Sequence, residues 1–193
     1  MQCALVIPVR SFADAKTRLA SLLTHKQREE LMRKCVLKVI TAGHNTPCID
    51  EIVLVSADEQ VKAFAQHESV NFYSSDLRLN EDLYACVSQI NPSLDGIIIS
   101  HGDLPWITSF HDVHEHLLHH QVVIASDRHR KGTNIYAHKR AVSAPYEFGV
   151  DSLIKHIRKI QAARISYTLI QSPEYGLDID TPNDLAFINT KGQ

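Results

Sequence analysis

Two acidic segments of the sequence have the residue types and the placement expected of a metal site. In the first, Asp103 stands on a Gly-Asp-Leu-Pro turn directly after the apolar run 96–100, and in the second Asp178 and Asp180 flank one isoleucine. Nucleotide-bound Mg²⁺ is usually held by one or two carboxylates together with phosphate oxygens and water. Aspartates two residues apart on an extended segment point the same way and can share an ion. Either segment alone is as typical of a helix-capping turn, but together they make these three aspartates candidate Mg²⁺ ligands.

A cation-rich loop follows the first apolar run of the chain. It holds Arg10, Lys16 and Arg18 within nine residues and contains no glycine. Glycine-rich phosphate loops bind anions through backbone amides, so this loop would have to use its side chains instead. A triphosphate is the natural ligand for three such cations. A solvated basic loop without a ligand is the alternative, and the segment alone does not decide between the two.

Two further segments concentrate hydrogen-bond donors. Segment 127–134 contains Arg128, three more cationic or titratable side chains and a Gly-Thr-Asn end that includes Thr133. It could bind a phosphate or a carboxylate, or form an exposed basic hairpin. Gly149 and Ser152 open an amphipathic helix, and a helix N-terminus with a glycine and a hydroxyl favours anions, although Ser152 could act only as an N-cap.

The elements that must position these residues alternate between strand and helix. Short runs rich in Val and Ile predict buried strands, and apolar residues at helical spacing predict helices. The predicted strands are 3–9, 52–56, 70–73, 96–100, 122–125, 133–138 and 165–170. The predicted helices are 26–42, closed by Gly43, then 58–67 capped by Asp58, 80–90, 108–120, 150–160 and one that starts at Thr181-Pro182. This order indicates an α/β fold with a mostly parallel sheet, helices on both faces and ligands beyond the carboxyl ends of the strands.

Bulk properties favour a small-molecule partner over a polymer or a membrane. The chain has 193 residues and a formal charge of −2, so it offers no overall basic field for nucleic acid or an anionic membrane. We expect one domain spanning 1–193. Four cysteines without a C-x-x-C pair indicate reduced thiols and a cytoplasmic protein. No charged leader precedes an apolar segment, and no apolar stretch approaches about 18 residues, so we expect neither secretion nor a membrane span.

Taken in order, six segments resemble the CofC-type (FbiD-type) phosphoacid guanylyltransferases of deazaflavin coenzyme F420 biosynthesis. The resemblance runs nearly end to end, and it is carried by P-V-R-x5-K-T-R-L at 8–19, L-N at 79–80, G-D-L-P at 102–105, D-R-H-x-x-G-T-N at 127–134, F-G-x-x-S at 148–152 and D-I-D-T-P at 178–182. Each motif is modest, whereas six in this order are specific. The sequence departs from the family at Arg10, where lysine is usual, and at Arg130-Lys131, where Gly-Thr is common.

The resemblance implies a single Rossmann-like nucleotidyltransferase domain of the nucleotide-diphospho-sugar transferase type. It also implies GTP as the donor, a small phosphorylated carboxylic acid as the acceptor and Mg²⁺ as the cofactor. The residues expected to be catalytic are Asp103, Asp178, Arg10 and Lys16. The resemblance implies Asp103, Asp178 and Asp180 at the metal and Arg10, Lys16 and Arg18 at the triphosphate. It implies Thr133, Gly149 and Ser152 at the acceptor, Asn80 near the nucleoside and Arg128 at the substrates.

The acceptors of this family are 2-phospho-L-lactate, phosphoenolpyruvate and 3-phospho-D-glycerate. We favour 3-phospho-D-glycerate, because four polar side chains could form a pocket for its extra hydroxyl. They are His101, His129, Arg130 and Lys131. The acceptor phosphate would attack the α-phosphorus of GTP and release pyrophosphate. Since the second pKa of a phosphate monoester is about 6, the nucleophile is already largely ionised at neutral pH and needs no dedicated general base.

Two other functions stay open on the sequence alone. A molybdopterin guanylyltransferase or a sugar-phosphate nucleotidyltransferase usually opens with a G-G-x-S-x-R-M-G loop, and no glycine precedes Gly43 here. A non-catalytic nucleotide-binding module would bind GTP without releasing pyrophosphate. The presence of both Asp103 and Asp178 favours the enzyme. The sequence leaves the oligomeric state open, a homodimer included.

A histidine-rich segment lies in the predicted helix 108–120. Spacings of three and four residues could in principle bind zinc. The histidines are His111, His114, His116, His119 and His120. Several of them would point to different sides of the helix, and no carboxylate and cysteine set accompanies them. We therefore expect a solvated or interface helix.

Overall fold

Seven strands form one sheet in the part of the chain that the computed structural model describes, which is residues 1–74 and 78–191, with side chains through residue 188. The strands are β1 (Cys3–Pro8), β2 (Ile49–Ser56), β3 (Asn71–Ser74), β4 (Gly96–Ser100), β5 (Val122–Ser126), β6 (Thr133–Lys139) and β7 (Tyr167–Ile170). Their order across the sheet is β3-β2-β1-β4-β6-β5-β7. Strand β6 runs antiparallel to β4 and β5, and the other neighbouring pairs are parallel.

Helices cover both faces of this sheet. They are α1 (His25–His44), α2 (Glu59–His67), α3 (Leu79–Gln89), α4 (His111–His119), α5 (Ser152–Ala162), α6 (Pro173–Gly176) and α7 (Pro182–Lys191), with a 3₁₀ turn at Thr17–Leu19. Side chains alternate along each strand, so Leu5 and Ile7 of β1 pack on one face with α1, α2 and α4. Ala4 and Val6 pack on the other face with α3 and α5. The predicted α/β fold, with helices on both faces of a mostly parallel sheet, is confirmed.

The polar segments follow or begin at strand ends that lie at one edge of the sheet. Parallel neighbours β1 and β4 end at Pro8 and Ser100, so the cation-rich loop and the Asp103 turn leave the sheet side by side. Strand β5 ends at Ser126, which pairs with Thr133 at the start of antiparallel β6. Because β6 is antiparallel to both of its neighbours, its first residue lies at the same edge of the sheet as the last residues of β4 and β5.

Helix α1 continues through Gly43, and the predicted helix end at this glycine is wrong. A Cβ atom on Gly43 would lie 2.8 Å from Ile52 Cδ1 and 2.8 Å from Leu5 Cδ2. The glycine therefore allows α1 to approach the sheet closely, and it does not supply the left-handed residue that often ends a helix. The helix ends at His44, with Asn45 as its C-cap.

Two helix starts confirm the predicted caps. Asp58 accepts a hydrogen bond of 2.7 Å from the Gln60 amide at the start of α2. Thr181 accepts one of 3.4 Å from the Asp184 amide at the start of α7, and Asp184 accepts one of 2.6 Å from the Thr181 amide in return. This reciprocal pair is a capping box, which satisfies two otherwise unpaired backbone donors.

Other element boundaries differ from the prediction. Helix α4 begins at residue 111 and not at 108. The amides of Thr108 and Phe110, which precede it, donate to Glu174 at 2.5 Å and to Thr46 at 2.8 Å. Helix α5 begins at residue 152 and β7 at residue 167, each two residues later than predicted. Helix α6 was not predicted, since four residues are too few to show helical periodicity.

Two features bear on the expected environment of the chain. All four cysteines are free, and Cys3, Cys35 and Cys86 are buried. Within residues 1–74 and 78–191, no helix combines the length and the apolar composition that crossing a bilayer requires. The cysteines therefore pack as small apolar side chains, as the sequence predicted.

Candidate active site

Lys16 reaches the polar edge of the sheet from a left-handed turn. Its backbone has φ 56° and ψ 37° immediately before the 3₁₀ turn, a conformation that is uncommon outside glycine and is often found at ligand sites. The ammonium group donates to the Asp103 carboxylate and, at 2.9 Å, to Oδ1 of Asp180. Only 5 % of the Lys16 side chain is exposed. The first loop therefore delivers one buried positive charge to the aspartates.

Asp103, Asp178 and Asp180 converge at this point. One carboxylate oxygen from each lies within 4.8 Å of the other two. Burial, together with the negative charges of Asp103 and Asp180, raises the pKa of Asp178 to about 7. Burial acts in the same direction on Asp103, but the positive charge of Lys16, its hydrogen bond and the nearby His101 outweigh it and hold the pKa of that carboxyl below its usual value. The cluster therefore carries more negative charge than Lys16 alone can balance.

This donor set suits a hard divalent cation. All three candidate ligands are carboxylates, the oxygen donors that Mg²⁺ and Mn²⁺ accept. Asp103 Oδ1 is buried and has no hydrogen-bond partner in the described part of the chain, and an unpaired buried oxygen of this kind is costly unless a ligand completes it. Among the described residues no second group of three potential ligands occurs, and the histidines of α4 form none. The residues therefore fit a divalent metal at Asp103, Asp178 and Asp180.

A cleft of about 480 Å³ opens beside the aspartates. Its lining includes Arg10, Ser56, Leu79, His101 and Asp103, so it extends from the carboxyl ends of β1 and β2 to the start of α3. The volume falls in the range of about 300–1,000 Å³ typical of small-molecule sites. Its position beyond the carboxyl ends of parallel strands is where α/β sheets bind ligands.

The other two cations of the first loop lie farther out than Lys16. Arg10 is exposed at the rim of the cleft. Arg18 Nη1 is 3.7 Å from Oδ2 of Asp180, and 73 % of the Arg18 side chain is exposed. Both are near the aspartates or the cleft, and their contact with a triphosphate stays a prediction.

Thr133 and Ser152 are brought together at the starts of β6 and α5. The Thr133 amide donates to Ser152 Oγ at 2.9 Å. Thr133 is fully buried and Ser152 is 3 % exposed, so neither presents its side chain to solvent. Gly149, in contrast, is exposed and has φ 127°, and an added Cβ would meet no heavy atom of the described residues within 4 Å beyond its chain neighbours. Of the three predicted acceptor residues, Gly149 alone lies open to a ligand.

Asn80 contacts the protein main chain. Its side-chain nitrogen donates to the Phe148 carbonyl at 3.2 Å, and its oxygen accepts from the Phe148 amide at 2.9 Å. Asn80 therefore holds the segment that leads into Gly149. The predicted place of Asn80 near the nucleoside is not tested by these contacts.

Arg128 faces a second, smaller cleft of about 340 Å³. Its guanidinium is paired with the buried Asp184 carboxylate and lies 5.5 Å from the centre of the Phe187 ring. Arg130 lines the same smaller cleft, where it donates two 2.7 Å bonds to Gln171 when that amide presents its oxygen. The structure therefore does not gather the four side chains from which the preference for 3-phospho-D-glycerate was argued, since His101 lines the larger cleft.

Sequence reasoning missed two residues that organise the site. Asp184 Oδ2 accepts from the amides of Asp180 at 3.1 Å and Thr181 at 2.6 Å, so it fixes a metal-ligand candidate. The T-x-x-D spacing was the signal that could have identified it.

His156 is fully buried and joins Glu147 to Thr133. Burial lowers the pKa of His156 to about 4, with a further contribution from His101. Its only sequence signal is a position four residues after Ser152.

Comparisons with known proteins show which proteins this chain is similar to. The family model described as "Guanylyl transferase CofC like" matches residues 3–193. A phosphoenolpyruvate guanylyltransferase of Sphaerobacter thermophilus is 29 % identical over 184 residues, covering 93 % of this chain and 89 % of that one. A 2-phospho-L-lactate guanylyltransferase of Methanothermobacter thermautotrophicus is 28 % identical over 197 residues, covering 100 % and 86 %.

The fold is also found in solved structures. A protein of Desulfovibrio desulfuricans, described as a candidate nucleotide-diphospho-sugar transferase, superposes with a TM-score of 0.79 at 15 % identity. The match covers 100 % of this chain and 90 % of that one. The predicted fold type is therefore confirmed by structure as well as by sequence.

Proposed function

The chain belongs to the family of CofC-like guanylyl transferases, and from this premise we propose that it transfers GMP from GTP to the phosphate of a small three-carbon phosphoacid. The observation that carries the proposal is the meeting of Lys16 with Asp103, Asp178 and Asp180 at the mouth of a ligand-sized cleft. Nucleotidyl transfer brings two phosphate groups together. A site that combines a buried cation with surplus carboxylates is suited to that task once a metal is bound.

Phosphoenolpyruvate and 2-phospho-L-lactate are the acceptors that the names of the relatives favour. The third candidate, 3-phospho-D-glycerate, keeps its place in the test, although its predicted pocket is not assembled in the structure. Each of these acids carries one phosphate and one carboxylate. With any of them the product is a GMP-linked phosphoacid, which we assign to coenzyme F420 biosynthesis on the strength of the family resemblance.

The chemistry requires positioning more than proton transfer. A phosphate oxygen of the acceptor forms a bond to the α-phosphorus of GTP, the bond between the α-phosphorus and the bridging oxygen breaks, and pyrophosphate leaves. The acceptor phosphate is largely dianionic at neutral pH, since its second pKa is about 6, so no side chain has to remove a proton. Arg10, at the cleft rim, and Lys16, which is bonded to the cleft residue Asp103, would oppose the charge of the triphosphate.

Magnesium is the proposed ion at the three aspartates. Mg²⁺ held by Asp103, Asp178 and Asp180 would neutralise phosphate charge and orient the reacting groups. Asp103 would contribute the oxygen that now lacks a partner. Binding to Asp178 would require loss of the proton that its raised pKa retains near neutral pH.

Incubation with GTP, Mg²⁺ and each of the three acids tests the proposal. Release of pyrophosphate together with a product of the mass of the GMP-linked acid is the expected result, with one acid preferred by kcat/KM. Replacement of Mg²⁺ by Mn²⁺ or by a chelator establishes the metal requirement. GTP binding without pyrophosphate release under any of these conditions would instead identify a non-catalytic nucleotide-binding module.

A further inference from the structure

Asn80 of α3 holds the segment that leads into Gly149 by hydrogen bonds. Asn80 bonds both main-chain groups of Phe148, as donor to the carbonyl at 3.2 Å and as acceptor from the amide at 2.9 Å. The orientation of the Asn80 amide follows from this pair, because a backbone N–H can only donate and a carbonyl can only accept. Two bonds to one residue fix the direction of its peptide groups as well as their position.

Glu147, the preceding residue of the same segment, is held by a hydrogen bond to α5. His156 Nε2 accepts from the Glu147 amide at 2.9 Å. Because this amide can only donate, Nε2 carries no hydrogen, and the neutral ring has its hydrogen on Nδ1, which faces Thr133 Oγ1 at 3.0 Å. The buried imidazole therefore links the Gly149 segment to the start of β6.

Gly149 itself makes no such hydrogen bond to the described residues. It is exposed, and apart from its own atoms and its two chain neighbours no described heavy atom lies within 4 Å of where its Cβ would be. Its φ of 127° belongs to a region that residues with a side chain rarely adopt. Two anchored residues are thus followed by one that is open to a ligand, which is the arrangement expected of a pre-organised binding segment.

Asn80 is better placed to act through this segment than by touching a nucleotide. Both ends of its amide are already engaged by Phe148. Its neighbour Leu79 lines the 480 Å³ cleft, whereas Asn80 does not. The described contacts of Asn80 therefore connect it to the segment that leads into Gly149.

We propose that Asn80 and His156 are positioning residues for the phosphoacid, which hold Phe148 and Glu147 so that the Gly149 main chain meets the acceptor. The proposal rests on the proposed function, because that function supplies the acceptor. It assigns the two residues to acceptor binding and separates them from GTP binding.

A matched pair of substitutions at His156 tests the role of the Glu147 bond. Glutamine can place an acceptor near the position of Nε2, whereas asparagine reaches only the position of Nδ1. We expect His156→Asn to raise KM for phosphoenolpyruvate about fivefold to tenfold, the loss of one or two hydrogen bonds, with KM for GTP unchanged. His156→Gln should stay within about twofold of the wild-type protein. Equal effects of the two variants, or an equal rise in both KM values, would overturn the proposal.

Asn80 is tested in the same assay. Asn80→Leu should raise KM for phosphoenolpyruvate about tenfold without changing KM for GTP. If that variant does not fold, Asn80→Asp keeps the acceptor for the Phe148 amide and loses the donor, and a smaller rise of the same kind is expected. A rise in KM for GTP alone would assign Asn80 to the nucleoside and contradict the proposal.

A measurement without turnover keeps this inference separate from the proposed function. The chain has seven glycines, so ¹⁵N-glycine labelling gives a simple spectrum in which Gly149→Ala identifies the Gly149 signal. In His156→Asn and Asn80→Leu that signal should move or broaden without ligand, while the signals of Gly43 and Gly96 stay in place. An unchanged Gly149 signal would overturn the positioning role. A wild-type protein that shows no turnover would instead overturn the proposed function, and the spectrum would still decide the positioning role.

Discussion

The Lys16 ammonium nitrogen lies 2.9 Å from Oδ1 of Asp180 and donates a hydrogen bond to it. The same nitrogen also donates to Asp103, so one buried cation holds two of the three clustered carboxylates. A divalent ion at the cluster would provide the same compensation of charge. The stability of this part of the molecule is therefore expected to respond to both Lys16 and the metal.

Lys16→Met is expected to destabilise the metal-free protein and to make it more dependent on Mg²⁺. Removal of one partner from a buried ion pair costs roughly 3–5 kcal/mol, because the other charge is left uncompensated. Added Mg²⁺ should recover part of that loss, so the rise in Tm with Mg²⁺ should be larger in Lys16→Met than in the wild-type protein. Lys38→Met, at an exposed position of α1, is the control. Equal rises in Tm with Mg²⁺ in Lys16→Met and Lys38→Met would contradict a shared role of Lys16 and the metal in balancing the carboxylates.

Asp103→Asn and Asp178→Asn are expected to remove metal-dependent pyrophosphate release while the fold is retained. The metal supplies several kcal/mol of charge stabilisation in such reactions, so we expect a loss of at least about a thousandfold in kcat/KM. Circular dichroism and Tm report on the fold. Asp50→Asn, at an exposed aspartate of β2, should retain wild-type activity. Wild-type rates in Asp103→Asn or Asp178→Asn would remove the metal assignment.

Local sequence rules predicted most of the elements because the apolar periods are clear. Strand β4, with five consecutive buried residues, and the Asp58 cap are determined by neighbours in the chain. Gly43 was misread for the opposite reason. Its role depends on contacts with Leu5 of β1 and Ile52 of β2, and no local pattern records how closely a helix approaches a sheet.

The same distinction applies to the site. Asp103 was identified by its turn after a predicted strand, and Asp178 and Asp180 by their spacing on an extended segment. The bonds of Asp103 and Asp180 to Lys16, across 87 and 164 residues, follow from tertiary structure and were not predictable from spacing. His156 was missed because a histidine on an amphipathic helix does not reveal whether it faces solvent or a buried main-chain amide. The Arg130 contact with Gln171 likewise requires the position of β7.

Gly43→Ala should destabilise the protein although alanine is the better helix former. The gain in helix propensity is about 1 kcal/mol, but the new methyl group would lie 2.8 Å from two side chains, and overpacking of a filled core costs roughly 1–3 kcal/mol. We expect a net loss of about 1 kcal/mol in the free energy of unfolding, measured by urea denaturation. Ser88→Ala, at an exposed position of α3, provides the comparison without a clash. A stabilised Gly43→Ala would show that α1 can shift away from the sheet.

The buried His138 is expected to make stability fall in mild acid. Burial lowers its pKa from 6.5 to about 4, and its ring is held by Tyr146 Oη at 2.7 Å and the Lys139 carbonyl at 3.0 Å. Because the unfolded chain binds the proton more readily, stability is retained above about pH 6.5 and is lost as the pH falls toward about 4. The contribution of this residue is about 3 kcal/mol across that window. His138→Gln should show a shallower fall between pH 6.5 and 4 in urea denaturation than His111→Gln, whose exposed position makes it the control. Equal slopes would show that His138 does not carry this dependence.

Asp184→Asn is expected to lower activity through Asp180, although Asp184 is not a metal-ligand candidate. Its carboxylate accepts from the amides of Asp180 and Thr181 and is paired with Arg128. Burial acts to raise the pKa of Asp184, but its bonds with Thr181 and Asp180 and the charge of Arg128 hold it below the usual value, so the ionised form is the one that anchors the Asp180 segment. Asparagine would lose the charge pair and present one donor where the carboxylate presents only acceptors. We expect kcat/KM to fall about tenfold and the apparent affinity for Mg²⁺ to weaken, since partners behind metal ligands typically contribute about 10–100-fold. Arg128→Met removes the charge pair but leaves the Asp184 acceptors in place, so it should lower Tm with a smaller effect on Mg²⁺ affinity. A normal Mg²⁺ affinity in Asp184→Asn would mean that the Asp180 position is set by Lys16 alone.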